Sequence, residues 1–120
     1  MPRILTPATH SAETLLIAHD LLPNGWELAT APHGRPEFWD LLKDIEFYIG
    51  VGQFKHGPEF YEKGPKLRIV QTLSAGYNTY DLEAARNSGV PICNNGGANA
   101  TAVAEHAMLL MLAVLSLIHI

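Results

Sequence analysis

Three short segments of this chain hold residue types able to meet a small anion or a carbonyl group. The first is Ser74-Ala75-Gly76, followed by Tyr77 and Asn78. Small side chains and a glycine let backbone N–H groups approach a ligand unobstructed, and successive amides in such a turn form a nest for a carboxylate. A tight turn that needs glycine only for its dihedral angles has the same composition, so the segment by itself leaves both readings open. The second is Asn94-Asn95-Gly96-Gly97-Ala98-Asn99. Asn99 stands where its side-chain amide can donate to a carbonyl or carboxylate near a helix N-terminus, whose dipole favours negative charge. It can equally serve as the helix cap. The third is Gly-Gln-Phe-Lys-His-Gly at 52–57. There Phe54 can wall a pocket and Lys55 or His56 can meet an acid, while a mobile, solvated loop is the simpler reading of the charged pair.

Several other chemistries lack their signatures. The sequence has no GxGxxG or GxxxxGK[ST] phosphate-binding turn, no GxSxG nucleophile elbow and no HExxH. Its histidines, His10, His19, His33, His56, His106 and His119, show no ligand spacing, and no carboxylates cluster, so nothing points to a metal. Cys93 is the single cysteine and has no CxxC partner. At the end of an apolar run it reads as a buried structural thiol.

The rest of the sequence supplies elements that would position these segments. Strand-like runs lie at 3–6 (RILT), 26–29 (WELA), 47–51 (FYIGV), 67–73 (LRIVQTL) and 90–93 (VPIC). Between them, Ser11 caps a leucine-rich helix that Pro23-Asn24-Gly25 stops, and Pro36 opens a second. A short helix fits 58–63, and Asp81 caps another that ends at Gly89. A long apolar helix begins near Asn99 or Thr101 and continues to the end. Apolar runs without strict alternation, separated by helices, imply a parallel sheet covered on both faces. Right-handed crossovers then favour an open, doubly wound, flavodoxin-like sheet of five strands. Ligands bind outside the carboxyl ends of such strands, and each of the three segments follows a strand.

Composition narrows the function classes. With 48% hydrophobic and 17% charged residues over 120 positions, the chain has the makings of one α/β domain with a real core. The net charge is −4 and the eight Lys and Arg are scattered, so no basic face exists for nucleic acid. The amino-terminal residues lack the order of a signal peptide, which makes the cytoplasm the expected location. The apolar stretch at 107–120 is shorter than the roughly 20 residues that span a bilayer, so no membrane role is expected. A helix apolar on nearly every side must be covered on every side. Little of this chain is left to cover it, and association through 107–118 is the expected consequence.

The run at 66–112, KLRIVQTLSAGYNTYDLEAARNSGVPICNNGGANATAVAEHAMLLML, resembles the N-terminal domain of D-isomer-specific 2-hydroxyacid dehydrogenases. The likeness rests on Ser74-Ala75-Gly76 after an apolar strand, Asp81-Leu82 opening a helix and Gly89-Val90 before a strand. The asparagine-rich loop 94–99 and Val103-Ala104-Glu105-His106 on the long helix complete it. Residues 1–65 fit the same domain in architecture only.

The resemblance implies a two-lobed enzyme that exchanges hydride between NAD or NADP and a small 2-oxo or 2-hydroxy acid. On it, the amides of Ala75 and Gly76 hold the substrate carboxylate, and Ser74 shapes the turn. Asn99 matches an asparagine that contacts substrate in the formate dehydrogenase branch, Phe54 matches an aromatic pocket residue, and Val103 approaches the nicotinamide. Residues 1–98 become the substrate-side domain. Residues 99–120 become an inter-domain helix that packs between lobes and against a second subunit, giving a homodimer. The family's cofactor-binding Rossmann lobe, its arginine, and its histidine with a partnering acid have no counterpart here, so the chain is expected not to turn over alone. The ending LSLIHI departs from the family pattern and reads as a truncation with foreign residues. The alternative class is a non-enzymatic flavodoxin-like binding module, similar to corepressors that share this architecture, acting through its apolar carboxyl-terminal helix.

Overall fold

The computed structural model describes residues 1–116. Strands β1 (Arg3–Pro7), β2 (Glu27–Ala31), β3 (Phe47–Gly50), β4 (Ile69–Thr72) and β5 (Ile92–Cys93) alternate with helices α1 (Ala12–Asp20), α2 (Pro36–Leu42), α3 (Pro58–Lys63), α4 (Leu82–Asn87) and α5 (Ala100–Leu115). Every strand pairing is parallel and the order is β2-β1-β3-β4-β5, the flavodoxin-like sheet expected from the sequence. The helices begin where their local chemistry allows. Ser11 and Asp81 each accept a hydrogen bond from a backbone N–H of the first turn, Thr14 and Ala84 respectively. Pro36 and Pro58 occupy first-turn positions, where a missing N–H costs nothing. Gly89 turns the chain after α4 with φ +70°, a conformation that disfavours side chains.

Two rows of side chains divide the sheet. Ala29, Leu5, Tyr48, Val70 and Ile92 are register partners across all the strands. This row meets Phe38 and Leu42 of α2, Phe60 of α3 and Ala85 of α4 in the main core. The opposite row, Leu28, Ile4, Phe47 and Ile69, faces the side on which α1 lies. Here the expected two-sided cover is incomplete. No residue of α1 is buried, and a cavity of about 250 Å³ separates its Leu15 and Ile17, with Leu21 just after it, from Ile4, Leu28 and Ile49. Strand β3, expected to be buried on both faces, alternates instead: Tyr48 and Gly50 are buried, Phe47 and Ile49 half-buried.

The same asymmetry overturns the reading of Cys93. It pairs in register with Gln71 on the uncovered side, at the end of a two-residue strand, and is exposed rather than buried. Strand β5 is shorter than the apolar run suggests because Val90 still closes the preceding turn, its N–H donating to the Ala85 carbonyl. Helix α5 carries no buried residue, and Leu109, Leu110, Met111, Leu112 and Val114 are each more than half exposed. The segment at 117–120, expected to continue this helix, lies outside the described residues.

His56 is a second correction. Expected in a solvated loop, it is 1% exposed. Its Nε2 lies 2.9 Å from the Tyr48 hydroxyl, and its ring stacks on Tyr80 with centroids 4.4 Å apart. The loop folds inward because 52–57 also pairs with the chain at Tyr80, through a single parallel bridge. Burial first, then the neighbouring His33, pushes the His56 pKa down to about 3. Burial lowers that of His33 as well. In the unfolded chain such a group takes up its proton near 6.5. The unfolded state therefore binds more protons between pH 6.5 and about 3, and stability falls as the pH falls through that window. One such histidine contributes a slope of up to about 1.4 kcal/mol per pH unit. Urea unfolding at pH 7 and pH 5, above the range in which carboxylates titrate, should show a loss of stability that His56→Leu makes shallower. Equal slopes in the two chains would contradict the burial of a neutral imidazole.

Candidate functional site

In a wholly parallel sheet every strand delivers its outgoing loop to the same edge, so the three candidate segments gather there. Hydrogen bonds tie them together. The Asn95 N–H donates to the Ser74 carbonyl, the His56 N–H to Thr79 and the Asp81 N–H to His56, at 3.1, 2.8 and 3.0 Å. Gly52 lies so close to Ser74 that a Cβ there would come within 2.9 Å of the Ser74 hydroxyl. The start of the 52–57 loop and the turn after β4 therefore share one wall.

The turn itself has an ordered polarity. Ser74 Oγ donates to the Gly76 carbonyl at 2.7 Å. A hydroxyl has one proton, so the 2.8 Å contact between Thr72 Oγ1 and Ser74 Oγ must have Thr72 as donor. Asn94 Nδ2 donates to the Ala75 carbonyl at 2.8 Å. With Asn95 on Ser74, the carbonyls of Ser74, Ala75 and Gly76 are all held from within the chain. Among the described residues, the N–H groups of Ala75 and Gly76 donate to no group of the protein, and both residues are exposed. Acceptors turned inward and donors turned outward are what an anion nest requires.

The other expected residues lie around this edge. Phe54 is half-buried and stacks on His33, with centroids 4.4 Å apart and planes 10° from parallel. Asn99 and Val103 lie at the start of α5. Asn99 precedes α5 in the cap position, but its side chain makes no cap hydrogen bond, so the bland capping reading fails as well. Val103 is 57% exposed on α5. Among the described residues no hydrogen bond joins either of them to the 74–76 turn.

Thr72 lay outside the segments that sequence reasoning picked, and Asn94 and Gly52, though within them, were given no role of their own. Register supplies the missing signal, since Gln71 pairs with Cys93 and so brings Thr72 and Asn94 to neighbouring positions at the sheet edge. Nothing in a linear reading brings Gly52 against Ser74. Among the described residues no group of three or more His, Cys, Asp or Glu side chains is placed to hold a metal, and no helix is long and apolar enough to cross a membrane.

Comparison with known proteins gives this edge a context. The model of the D-isomer specific 2-hydroxyacid dehydrogenase catalytic domain matches residues 16–115. A hydroxypyruvate reductase of Thermotoga maritima is 32% identical over 98 residues, which is 80% of this chain and 32% of that protein. A glyoxylate reductase of Pyrococcus furiosus is 30% identical over 79 residues, 66% of this chain and 24% of the relative. In fold, the chain is similar to an NAD-dependent formate dehydrogenase of Staphylococcus aureus solved with NAD. That match has a TM-score of 0.77 and 21% identity over 92% of this chain and 38% of the other. The chain thus spans about a quarter to a third of the length of the curated relatives it matches. It belongs to the D-isomer specific 2-hydroxyacid dehydrogenase family, within that family's catalytic domain.

Proposed function

We propose that this chain is the substrate-side domain of a D-2-hydroxyacid dehydrogenase, and that the amides of Ala75 and Gly76 hold the carboxylate of a small 2-oxo or 2-hydroxy acid. One observation carries the reading. Gly76 is not among the glycines with positive φ. A Cβ at that position would meet only Asn78 Oδ1, at 3.4 Å, an ordinary contact. Neither the dihedral angles nor the packing of the chain calls for glycine there, whereas a ligand approaching the backbone closely would. Ser74, through its bond to the Gly76 carbonyl, keeps the outward amides in place. The relatives' names, glyoxylate reductase and hydroxypyruvate reductase, fit acids of this size.

The residues present do not by themselves fit a dinucleotide. The sequence has no GxGxxG turn. The one side chain that the resemblance aims at the nicotinamide, Val103, is an exposed aliphatic group on a helix with no buried residue. We assign NAD or NADP to a further lobe of the parent enzyme, and take formate as the substrate in the formate dehydrogenase-like branch of this reading. In this reading residues 1–98 form the substrate domain and α5 crosses to the other lobe, where its apolar surface, Asn99 and Val103 find their partners. Its cover would include a second subunit. Each large apolar side chain left in water forgoes about 1.5–3 kcal/mol, enough for several of them to matter in a domain of ordinary stability.

Two outcomes are expected. Gly76→Ala should leave the urea midpoint of the chain within about 0.5 kcal/mol of the parent, or raise it slightly through reduced chain entropy. The same change should abolish the amide shifts that glyoxylate induces at residues 75 and 76 in NMR titration. A Gly76→Ala chain that binds glyoxylate normally would sink the nest. Separately, the purified chain should self-associate in sizing with light scattering, and the double variant Leu110→Glu, Val114→Glu should run as a monomer with an unchanged fold. A parent chain that runs as a monodisperse monomer would count against the covered-helix reading.

A further inference from the structure

The site as described leaves four buried or half-buried rings unexplained. Phe54 stacks on His33, His33 meets His56 edge-on with centroids 5.0 Å apart, and His56 stacks on Tyr80, their planes 6° from parallel. These rings come from three different loops, those that follow β2, β3 and β4. Among the described residues, Nε2 of His33, Nδ1 of His56 and the Tyr80 hydroxyl are buried without a well-formed hydrogen bond, the His56 ring leaning on the Phe54 backbone and the Tyr80 hydroxyl on Thr72. Unpaired polar atoms in a core are costly, and an aliphatic residue at 56 would avoid the cost. Hydrophobic packing alone therefore does not account for a histidine in this place.

The backbone shows what the rings brace. His56 is the bridge residue that joins the 52–57 loop to the chain at Tyr80. Its N–H donates to Thr79 and its carbonyl accepts from Asp81, so both sides of its peptide are tied to the segment leaving the nest. Its side chain meets the sheet below through the Tyr48 hydroxyl at 2.9 Å. Gly50 completes the fit. A Cβ on residue 50 would lie 2.0 Å from the Tyr80 hydroxyl, so only glycine leaves room for that ring. At its near end the 52–57 loop rests on Ser74 through Gly52. The loop bearing Phe54 is thus held at Ser74 of the nest turn through Gly52 and, through His56, at the 79–81 segment that leaves it.

We propose that His56, clasped by Tyr80 and Tyr48, is a positioning residue that sets the distance between the Phe54 wall and the Ala75–Gly76 amides, and so determines which substituents on a bound 2-oxo acid are accommodated. This rests on the carboxylate reading of the nest. His56 touches neither acid nor cofactor. It acts through His33 and Phe54 on one side and through Thr79 and Tyr80 on the other. An acid with no side chain depends on the amides alone, whereas one with a bulky substituent must also fit against Phe54.

The test uses the chain as it stands, with His56→Leu and Tyr80→Leu as independent variants and the Val70 N–H, bonded to the Pro91 carbonyl, as a check of the core. Glyoxylate and 4-methyl-2-oxopentanoate are titrated by NMR, and ring-to-ring NOEs are recorded without ligand. The expected result is that both variants shift the affinity ratio of the two acids by about fivefold, the change that one aromatic pair supports. Both should also lose the Phe54–His33 NOE while keeping glyoxylate binding. An unchanged ratio with the NOE retained in both variants overturns the proposal, as does absence of the Phe54–His33 and His56–Tyr80 NOEs in the parent chain, which stays decisive even where a variant fails to fold. If the parent binds neither acid, the nest reading fails and the inference about substituents falls with it. If glyoxylate binds but the ratio does not move, only the positioning role fails.

Discussion

A peptide unit cannot turn its carbonyl inward without turning its N–H outward, and the end of β4 depends on that coupling. The carbonyls of Ser74, Ala75 and Gly76 are each held by a donor within the protein: Asn95, Asn94 and Ser74 itself. The amides of Ala75 and Gly76 belong to exposed residues and, among the described residues, donate to no group of the protein. An unpaired buried amide is unfavourable, but an exposed pair is solvated and free to exchange water for a carboxylate. Most of the surrounding structure serves this arrangement. Parallel pairing brings the β5 exit loop beside the β4 exit loop, so that two asparagines reach across. Thr72 orients the Ser74 hydroxyl, and Gly52 yields the space in which that hydroxyl sits.

The sheet that creates this edge is finished on one side only. The main core, from Leu5 and Tyr48 to Phe38 and Phe60, is closed and rich in aromatic contacts. On the other side α1 stands over a cavity, Leu73 and Cys93 are exposed, and α5 presents its leucines and methionines to water. A helix of alanine, leucine and methionine holds its shape through propensity, but its surface is that of a buried element. Under the proposed function these surfaces are the ones that the rest of the parent enzyme would cover; the chain spans about a quarter to a third of the length of the relatives it matches.

Much of this was legible in the sequence where local rules decide. Helix starts at Ser11, Pro36, Pro58 and Asp81 appeared where capping chemistry places them. The strand cores and the parallel order followed from apolar runs between helices. Of the candidate site, the Ser74-Ala75-Gly76 turn was visible as a composition, yet its function was not, because a glycine required by dihedrals and one required by a ligand read alike. The backbone bears on the choice: Gly76 does not have a positive φ, and a Cβ there would meet only Asn78, at 3.4 Å. What escaped was non-local. His56 looked solvated because its loop is polar, and nothing in the chain order announces that Tyr80 will cover it. Cys93 looked buried because its run is apolar, while the face it joins lacks a cover. Asn99 looked like a cap, and its side chain caps nothing.

The most direct measurement is a crystal structure of the chain soaked with oxamate, a stable analogue of a 2-oxo acid. The expected result is a carboxylate within hydrogen-bond distance, roughly 2.7–3.2 Å, of both the Ala75 and Gly76 amides. Asn94, Asn95 and Ser74 should still hold the three carbonyls. An analogue bound elsewhere, or a turn that must flip a peptide to receive it, would contradict a nest built into the fold.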